Sequence, residues 1–170
     1  MNGVHNTSAG GESTQSSPGL QAGNYPANEG PSNVCDQSVR TKYLNFGSCN
    51  NSNGGNTCGL DTGFYITLRR GSSVVQGVQV CTANDAIGRD PLQITLEGSN
   101  ENTTNLTFGQ SWNLIYDGGT GLEIAPPRLS CSLVQCINNS ISYKSYRFLV
   151  IRKRYFENAV QYSEVQFFGY

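Results

Sequence analysis

Short apolar or alternating runs, separated by clusters of Gly, Asn, Asp and Pro, extend from Tyr25 to the end of the chain. None of these runs repeats with the 3.6-residue period of a helix, whereas apolar side chains at every second position are typical of half-buried strands. The pattern predicts strands near residues 63–68, 74–81, 92–98, 112–116, 142–151 and 162–168. The sequence therefore indicates an all-β protein.

Two of the predicted strands show how the sheets pack. Val78 and Val80 share a face in the run GVQVC, and the run YRFLVIR is apolar on both faces at its centre. A strand that is apolar on both faces is expected inside a packed sandwich. A chain of 170 residues fits one such domain, because single all-β sandwiches commonly reach this size.

Residues 1–22 differ in composition from the rest of the chain. The segment MNGVHNTSAGGESTQSSPGLQA is rich in Gly, Ser and Thr and almost lacks large apolar side chains, which is typical of a flexible arm. We expect such an arm to be ordered only where it lies on its own domain or docks on a neighbouring molecule. Residues 23–170 then form the sandwich.

Charge and composition disfavour several classes of function. The net charge of −1 and the 14% of charged residues give no electrostatic reason to expect nucleic acid or an anionic membrane as partner. No apolar run reaches the roughly 18 residues that span a bilayer. The single histidine, His5, lies in the arm, so a Ser, Cys or Thr nucleophile has no imidazole partner. We therefore predict a protein that is not an enzyme and holds no organic cofactor.

The chain contains six cysteines, an even number that indicates disulfides and an oxidising compartment. Zinc binding is the alternative, but zinc sites usually have closer Cys spacings or several His. Local closure favours Cys49 with Cys58 and Cys131 with Cys136, which leaves Cys35 for Cys81, one of fifteen possible pairings.

Five N-x-[ST] sequons also indicate secretion, and they begin at Asn6, Asn50, Asn102, Asn105 and Asn138. The start of the sequence lacks the basic and apolar blocks of a signal peptide, so a secreted protein would have a signal outside these residues. We expect a secreted, extracellular glycoprotein.

Four runs in order resemble one known family: NYPANEGPSNVCDQSVRTKYLNFG, TANDAIGRDPLQITLEGSN, YKSYRFLVI and NAVQYSEVQFFG. Together they are similar to the discoidin-like domains (coagulation-factor-type C, galactose-binding-like), in particular to a subgroup with TKYLNFG, TANDxxxRDP and AEVQFFG-like motifs. The resemblance implies an antiparallel, jelly-roll-like β-sandwich of about eight strands. Its loops are expected to bind glycans, lipids or proteins, and the family alone does not fix the ligand.

Many members of this family hold a structural calcium ion between the loop before the first strand and the last strand. The resemblance places candidate oxygen ligands at Asn33, Asp36, Ser38, Thr41, Ser163 and Glu164, and these are the hard ligands that Ca²⁺ accepts. Gln37 departs from the family, which commonly has Gly there. The alternative makes Asp36 an acceptor within a turn and Glu164 an exposed strand residue.

Several loop residues are candidates for ligand contact: Tyr43, Asn45, Asn84, Asp85 and Arg89. Each also has a structural interpretation, since Asn and Asp close turns and Arg89 could pair with Asp85 or Asp90. Trp112 is expected to anchor the core or its rim rather than to stack on a sugar. The basic run from Arg152 to Arg154 is expected to be a solvated strand edge, with a sulfated-glycan site as the alternative.

These observations leave two principal hypotheses about function. The first is a non-catalytic extracellular module for binding or adhesion, which recognises a glycan or a matrix protein through sandwich loops. The second is a structural subunit whose N-terminal arm docks on the next copy and builds a fibre or other homo-polymer. A third, a module appended to a larger enzyme, fits the family but finds no linker or second domain in this sequence.

Overall fold

The computed structural model describes all residues from 1 to 170, and its regular elements are strands and 3₁₀ helices. The strands are β1 Asn2–His5, β2 Thr14–Gln15, β3 Ser17–Pro18, β4 Asn24–Tyr25, β5 Tyr43–Asn45, β6 Thr62–Thr67, β7 Val75–Cys81, β8 Pro91–Ser99, β9 Asn113–Gly119, β10 Gln135–Cys136, β11 Ser145–Lys153, β12 Val160–Tyr162 and β13 Glu164–Gly169. The 3₁₀ helices span Pro31–Cys35, Ile87–Arg89, Asn105–Thr107 and Gly109–Ser111. No helix in this set is both long and apolar enough to cross a membrane.

One layer of the fold is a six-stranded sheet in the order β2-β1-β6-β11-β8-β9. Every pairing within it is antiparallel. The central strand β11 carries Tyr146, Phe148 and Val150 on the face that turns inward, and each of these side chains is fully buried. The predicted two-sided burial of this strand is confirmed, since Arg147 and Leu149 on the other face are also at 0% exposure.

The opposite layer consists of the sheet β10-β7-β13 and the strand pair β12-β5. Val78 and Val80 of β7 point together into a core of 18 buried residues, as the alternation predicts. Aromatic rings join the layers, for example Phe148 with Tyr162 at 5.5 Å between ring centroids. The protein is therefore an all-β sandwich whose two layers are antiparallel, and the short separate pair β3-β4 is parallel.

The first residues of the chain are part of the sandwich. Strand β1 lies between β2 and β6, and Val4 is fully buried. Gly3 is packed so closely that a Cβ atom there would lie 2.3 Å from Ser16 Oγ. In this structure residues 2–5 pair with strands of their own domain, because strand pairing depends on backbone hydrogen bonds and needs few apolar side chains.

An ion pair fixes the following residues across the outer face of the six-stranded sheet. Arg147 Nε lies 2.7 Å from Glu97 Oε2, and both side chains are completely buried. The Arg147 guanidinium also donates to Gly11 O and Ser13 Oγ, while the Gly10 amide donates to Glu97 Oε1. A polar segment is ordered here because two buried charges supply its hydrogen-bond partners.

Trp112 closes this arrangement. Its ring is 5% exposed and lies 4.7 Å from the Arg147 guanidinium carbon, while its Nε1 donates to Leu106 O. Tyr65 packs beside it with 5.8 Å between the ring centroids. The tryptophan is therefore a structural anchor in contact with a cation.

The structure contains two disulfides. Cys49 is bonded to Cys58, as predicted from local closure. Cys81 is bonded to Cys131, whereas the sequence suggested Cys35 for the former and Cys136 for the latter. Cys81 and Cys131 form an antiparallel bridge, so the two side chains start from directly opposed positions.

The two remaining cysteines, Cys35 and Cys136, carry free thiols. Cys136 lies in β10 and pairs with Gly77 of β7. Gly77 precedes Cys81 by four residues along β7, so Cys136 is about 13 Å from Cys81. Cys35 Sγ instead approaches the carbonyl oxygen of Val165 at 3.8 Å. The short spacing from Cys131 to Cys136 was misleading, because the chain between them runs along β7.

Candidate functional site

Three loops meet at the end of the sandwich where β11 finishes, and we call them the apical loops: residues 48–58, 84–90 and 154–159. Gly55 N donates to Glu157 O at 3.2 Å, and Tyr155 N donates to Gly88 O at 2.9 Å. Asn158 Nδ2 donates to the carbonyl of residue 51 at 2.9 Å. The disulfide Cys49–Cys58 closes the first loop, so the three loops form one connected surface.

Lys153 lies beneath the apical loops and joins two of them. Its side chain is buried, and its Nζ donates to the carbonyl oxygens of Gly55, Cys58 and Glu157. Burial lowers the pKa of Lys153 to about 8, and the nearby Glu157 carboxylate opposes this shift. All three donors of the ammonium group are therefore used to hold the loops.

The basic run is consequently not the solvated edge that the sequence suggested. Arg154 donates to the carbonyl oxygens of Leu122 and Glu123, and its Nε lies 3.7 Å from Asp90. Only Arg152 of the three is exposed. Three adjacent cations indicate a solvated edge in the sequence, because the sequence does not show which carbonyl oxygens surround them in the folded chain.

Two consecutive aromatic side chains project from the apical loops. Tyr155 is 64% exposed and Phe156 is 66% exposed. A Cβ atom on Gly54 would lie 2.9 Å from Phe156 Cε1, so the ring rests against the loop closed by the disulfide. Ile87, 40% exposed, adds apolar surface from the second loop. Exposed rings on a rigid base provide a flat platform for an apolar ligand face.

Polar groups border this platform. Arg89 Nε lies 3.4 Å from Glu157 Oε2, and Arg89 NH1 lies 3.4 Å from Gln161 Oε1. Asp85 accepts hydrogen bonds from Lys42 Nζ and Gln161 Nε2, each at 2.8 Å. Arg89 therefore pairs with Glu157 and not with Asp85 or Asp90. The surface combines aromatic rings with hydrogen-bonding groups.

The predicted ligand residues are divided by the structure. Asn84 is exposed, and Asp85 and Arg89 lie in the apical loops, but Tyr43 and Asn45 are buried inside the protein. Tyr43 Oη donates to Gly63 O, and Asn45 Nδ2 donates to Tyr43 Oη. These two residues are structural, so a direct ligand role for them is wrong.

Sequence reasoning missed Tyr155 and Phe156. The sequence does contain a signal: two adjacent aromatic residues lie between Arg154 and Glu157, close behind the long predicted strand. On a strand one of them would face inward, whereas just beyond its end both can be exposed. Only the position of the end of β11 identifies them as a surface feature.

The oxygen atoms expected to bind calcium lie together at the start of β13. Asp36 Oδ1 accepts from Ser38 N at 2.9 Å, and Asp36 Oδ2 accepts from Thr41 Oγ1 at 2.7 Å. Glu164 Oε1 accepts from Ser38 N at 3.1 Å, and Glu164 is 3% exposed. Burial and the neighbouring Asp36 carboxylate raise the pKa of Glu164. Neither carboxylate forms a salt bridge.

This donor set matches calcium chemistry in part. Nowhere do three His, Cys, Asp or Glu side chains form a metal-binding group. Two carboxylates without a counter-charge, with the Ser38 carbonyl and Thr41 hydroxyl beside them, nevertheless fit a cation that accepts hard oxygens. Gln37 adopts a left-handed φ of 65°, so it reproduces the turn for which the family commonly uses Gly.

The other two expected ligands are placed differently. The Asn33 side chain donates from Nδ2 to the carbonyl oxygens of Asn28 and Lys42, so this nitrogen is used within the protein. Ser163 Oγ donates to Thr82 O. The resemblance implies carbonyl oxygens of Asn33 and Ser163 as ligands, and these side-chain hydrogen bonds do not involve the two main-chain carbonyls.

Neither protein-family models nor curated protein sequences match the chain. Solved structures do. CBM32-3 from a family 31 glycoside hydrolase of Clostridium perfringens superposes with a TM-score of 0.64 at 12% identity, covering 91% of this chain and 90% of that one. CpGH89CBM32-5 from the same organism, in complex with GalNAc-β-1,3-galactose, gives 0.53 at 14% identity over 81% of each chain.

A module from another organism has the same architecture. Chitosan-binding module 1 from a chitosanase/glucanase of Paenibacillus sp. IK-5 superposes with a TM-score of 0.53 at 16% identity, covering 85% of this chain and 88% of that one. At such identities the likeness shows a shared fold. The chain thus has the same β-sandwich fold as these modules.

Proposed function

We infer that the protein is a non-catalytic carbohydrate-binding module whose ligand lies on the apical loops. The observation that carries this proposal is the pair Tyr155 and Phe156, both more than 60% exposed at the end of β11. The apolar face of a sugar ring stacks on such rings, and Arg89, Glu157 and Asn84 are positioned to bond its hydroxyl groups. The fold supports this interpretation, since its structural neighbours are carbohydrate-binding modules.

Galactose-type sugars are the first ligands to test. One neighbour is in complex with GalNAc-β-1,3-galactose and another with galactose. Galactose presents an apolar face formed by its ring C–H groups, which suits an aromatic platform. The Arg89–Glu157 pair supplies both a donor and an acceptor for the polar edge of the same ring.

Calorimetry with galactose, GalNAc and GalNAc-β-1,3-galactose tests the proposal, supplemented by a glycan array. We expect Tyr155→Ala and Phe156→Ala each to weaken binding by about fivefold, because loss of one aromatic contact is worth about 1 kcal/mol. Tyr170→Ala is the matched control, since Tyr170 is 71% exposed and lies outside the apical loops. No saccharide binding, or binding unchanged in the double variant of Tyr155 and Phe156, would contradict the proposal.

Calcium is proposed as a structural ion of this module. Asp36 and Glu164 would bind it through their carboxylates, Thr41 through its hydroxyl or carbonyl, and Asn33, Ser38 and Ser163 through carbonyl oxygens. The ion would supply positive charge that offsets the repulsion between the two carboxylates. Its support is the position of the Asp36 and Glu164 carboxylates, which both accept from Ser38 N and form no salt bridge.

An extracellular location is proposed on the two disulfides and the sequons. Asn6, Asn102 and Asn138 are exposed, while Asn50 and Asn105 are partly buried, and glycosylation of each remains a prediction. The alternative of a fibre subunit would require β1 to leave β6 and exchange between copies, because residues 2–5 pair within their own sheet. Adhesion through bound glycans needs no such exchange.

A further inference from the structure

Two neighbouring hollows lie where the N-terminal segment meets the loop after β8, at the opposite end of that strand from the apical loops. The first, of about 350 Å³, is lined by Glu101, Asn105, Phe108, Gln110 and Ser111. The second, of about 330 Å³, is lined by Gly10, Gly11, Glu12, Phe108, Gly109 and Gln110. Phe108 and Gln110 belong to both. Each volume is at the lower end of the ~300–1,000 Å³ typical of small-molecule sites.

Phe108 is presented to solvent by a fixed backbone. It links two 3₁₀ helices, and its amide donates to Asn105 O at 3.0 Å while its carbonyl accepts from Ser111 N at 3.1 Å. The ring is 47% exposed. The Phe108 ring lines both hollows and provides a stacking surface. Because its backbone is already fixed, a ligand can bind without a loss of loop entropy.

The walls of the second hollow are also fixed. A Cβ atom on Gly109 would lie 2.2 Å from Gly10 O, so the two segments approach as closely as only glycine permits. Ser13 N donates to Thr107 O at 2.8 Å, and Gly10 N donates to Glu97 Oε1 at 2.7 Å. The buried ion pair with Arg147 therefore holds the hollow open in one shape.

The charged side chains that line the hollows indicate the class of ligand that would bind there. Glu12 and Glu101 line one hollow each, neither forms a salt bridge, and no Lys or Arg lines either hollow. Glu101 Oε2 accepts from Asn105 Nδ2 at 3.1 Å, which orients that carboxylate. Carboxylates beside an exposed ring favour a ligand that combines an apolar ring face with positive charge.

The geometry points to a second saccharide site, formed by Glu12, Glu101, Phe108 and Gln110, that binds an oligosaccharide with free amino groups. One sugar ring stacks on Phe108, the Gln110 amide bonds its hydroxyl groups, and the carboxylates bind ammonium groups of the units on either side. The site stands apart from the proposed apical site, since it shares no residue with it.

Glycosylation affects this site directly. Asn105 lines the first hollow and begins a sequon, so a glycan on it would cover the proposed surface. The protein for the test is therefore the full chain produced in an oxidising compartment without N-glycosylation, such as a bacterial periplasm.

Calorimetric titration of glucosamine tetramer and of N-acetylglucosamine tetramer into the Tyr155→Ala/Phe156→Ala variant tests the inference without the apical site. We expect the amino oligomer to bind about tenfold more tightly, Phe108→Ala to weaken it about tenfold, and Gln110→Ala to weaken it several-fold. Glu12→Gln/Glu101→Gln should remove the preference for the amino oligomer. Leu114→Ala, at a 57% exposed residue of β9, is the control that should change nothing.

Three results would overturn the inference. They are no binding of the glucosamine tetramer at millimolar concentration, equal affinity for both tetramers, and unchanged affinity in a folded Phe108→Ala variant. Melting temperatures of all variants are compared first, to show that each variant is folded. If Phe108→Ala does not fold, the affinity of Gln110→Ala for the glucosamine tetramer is used in its place. Failure of galactose binding in the unmodified protein would affect only the apical proposal, because the two tests use different residues and different sugars.

Discussion

Replacement of Arg147 by Met tests the role of the buried ion pair in ordering the N-terminal segment. The change keeps most of the side-chain volume but leaves the Glu97 carboxylate buried at 0% exposure without its cation. Gly11 O and Ser13 Oγ lose their guanidinium donor at the same time. Removing one partner of a buried pair costs about 3–5 kcal/mol, so we expect a loss of this size.

Such a loss is a large share of the total, since domains of this kind are stabilised by about 5–15 kcal/mol. Urea unfolding followed by tryptophan fluorescence measures it through the midpoint, because Trp112 lies against the substituted residue. Hydrogen exchange gives a second reading, with protection of residues 2–15 expected to fall more than that of β7 or β13.

A double variant separates the charge from the contacts. In Arg147→Met/Glu97→Met no unpaired charge remains, so part of the lost stability should return even though the Gly10 amide loses its acceptor. The reasoning is refuted if Arg147→Met loses less than about 1 kcal/mol. It is also refuted if the N-terminal segment keeps its full protection from exchange, since the segment would then be held by other contacts.

Two further predictions concern the loops and the proposed ion. Because burial and Asp36 raise the folded-state pKa of Glu164, the folded state binds more protons than the unfolded chain, and stability without metal should fall as pH rises through that pKa. Calcium should therefore raise the melting temperature more at about pH 7 than at about pH 4. Glu164→Gln should abolish this increase. Equal melting curves with calcium and with chelator at both pH values would contradict the calcium site. Lys153→Met should lower the free energy of unfolding by about 3 kcal/mol, because three carbonyl oxygens lose their donor. It should also increase hydrogen exchange in the apical loops and weaken galactose binding. Exchange rates at Gly55 and Glu157 equal to those of the unmodified protein would show that Lys153 does not hold the loops.

The sequence contains enough information for the sandwich but less for its edges. Val78 and Val80 could be assigned to the core because their spacing matches the period of a strand, and the long run through β11 indicates burial on both faces. The pairing of Cys49 with Cys58 follows from proximity in the chain. Periodicity and proximity are local properties, and they predict what depends on neighbours in sequence.

Features that depend on distant partners could not be predicted in this way. Val4 is buried because β1 pairs with β6, and the polar residues after β1 are held by Arg147, more than 130 residues away. Lys153 appears as one of three adjacent cations, and only the folded chain places three carbonyl oxygens around it. The pairing of Cys81 with Cys131 likewise depends on strand register, which single-sequence patterns do not fix.

The position of β1 has a consequence for biosynthesis. Ribosomes deliver the chain from its N-terminus, yet β1 pairs with β6, and the residues between β1 and β2 are held by a guanidinium that emerges 136 positions after Gly11. Strand β1 can pair once β6 has emerged, but Gly11 and Ser13 must wait, without their guanidinium partner, until most of the polypeptide has been synthesised. Pairings of this length slow folding and prolong the exposure of unpaired strands, so final closure of the domain should be among its last folding steps.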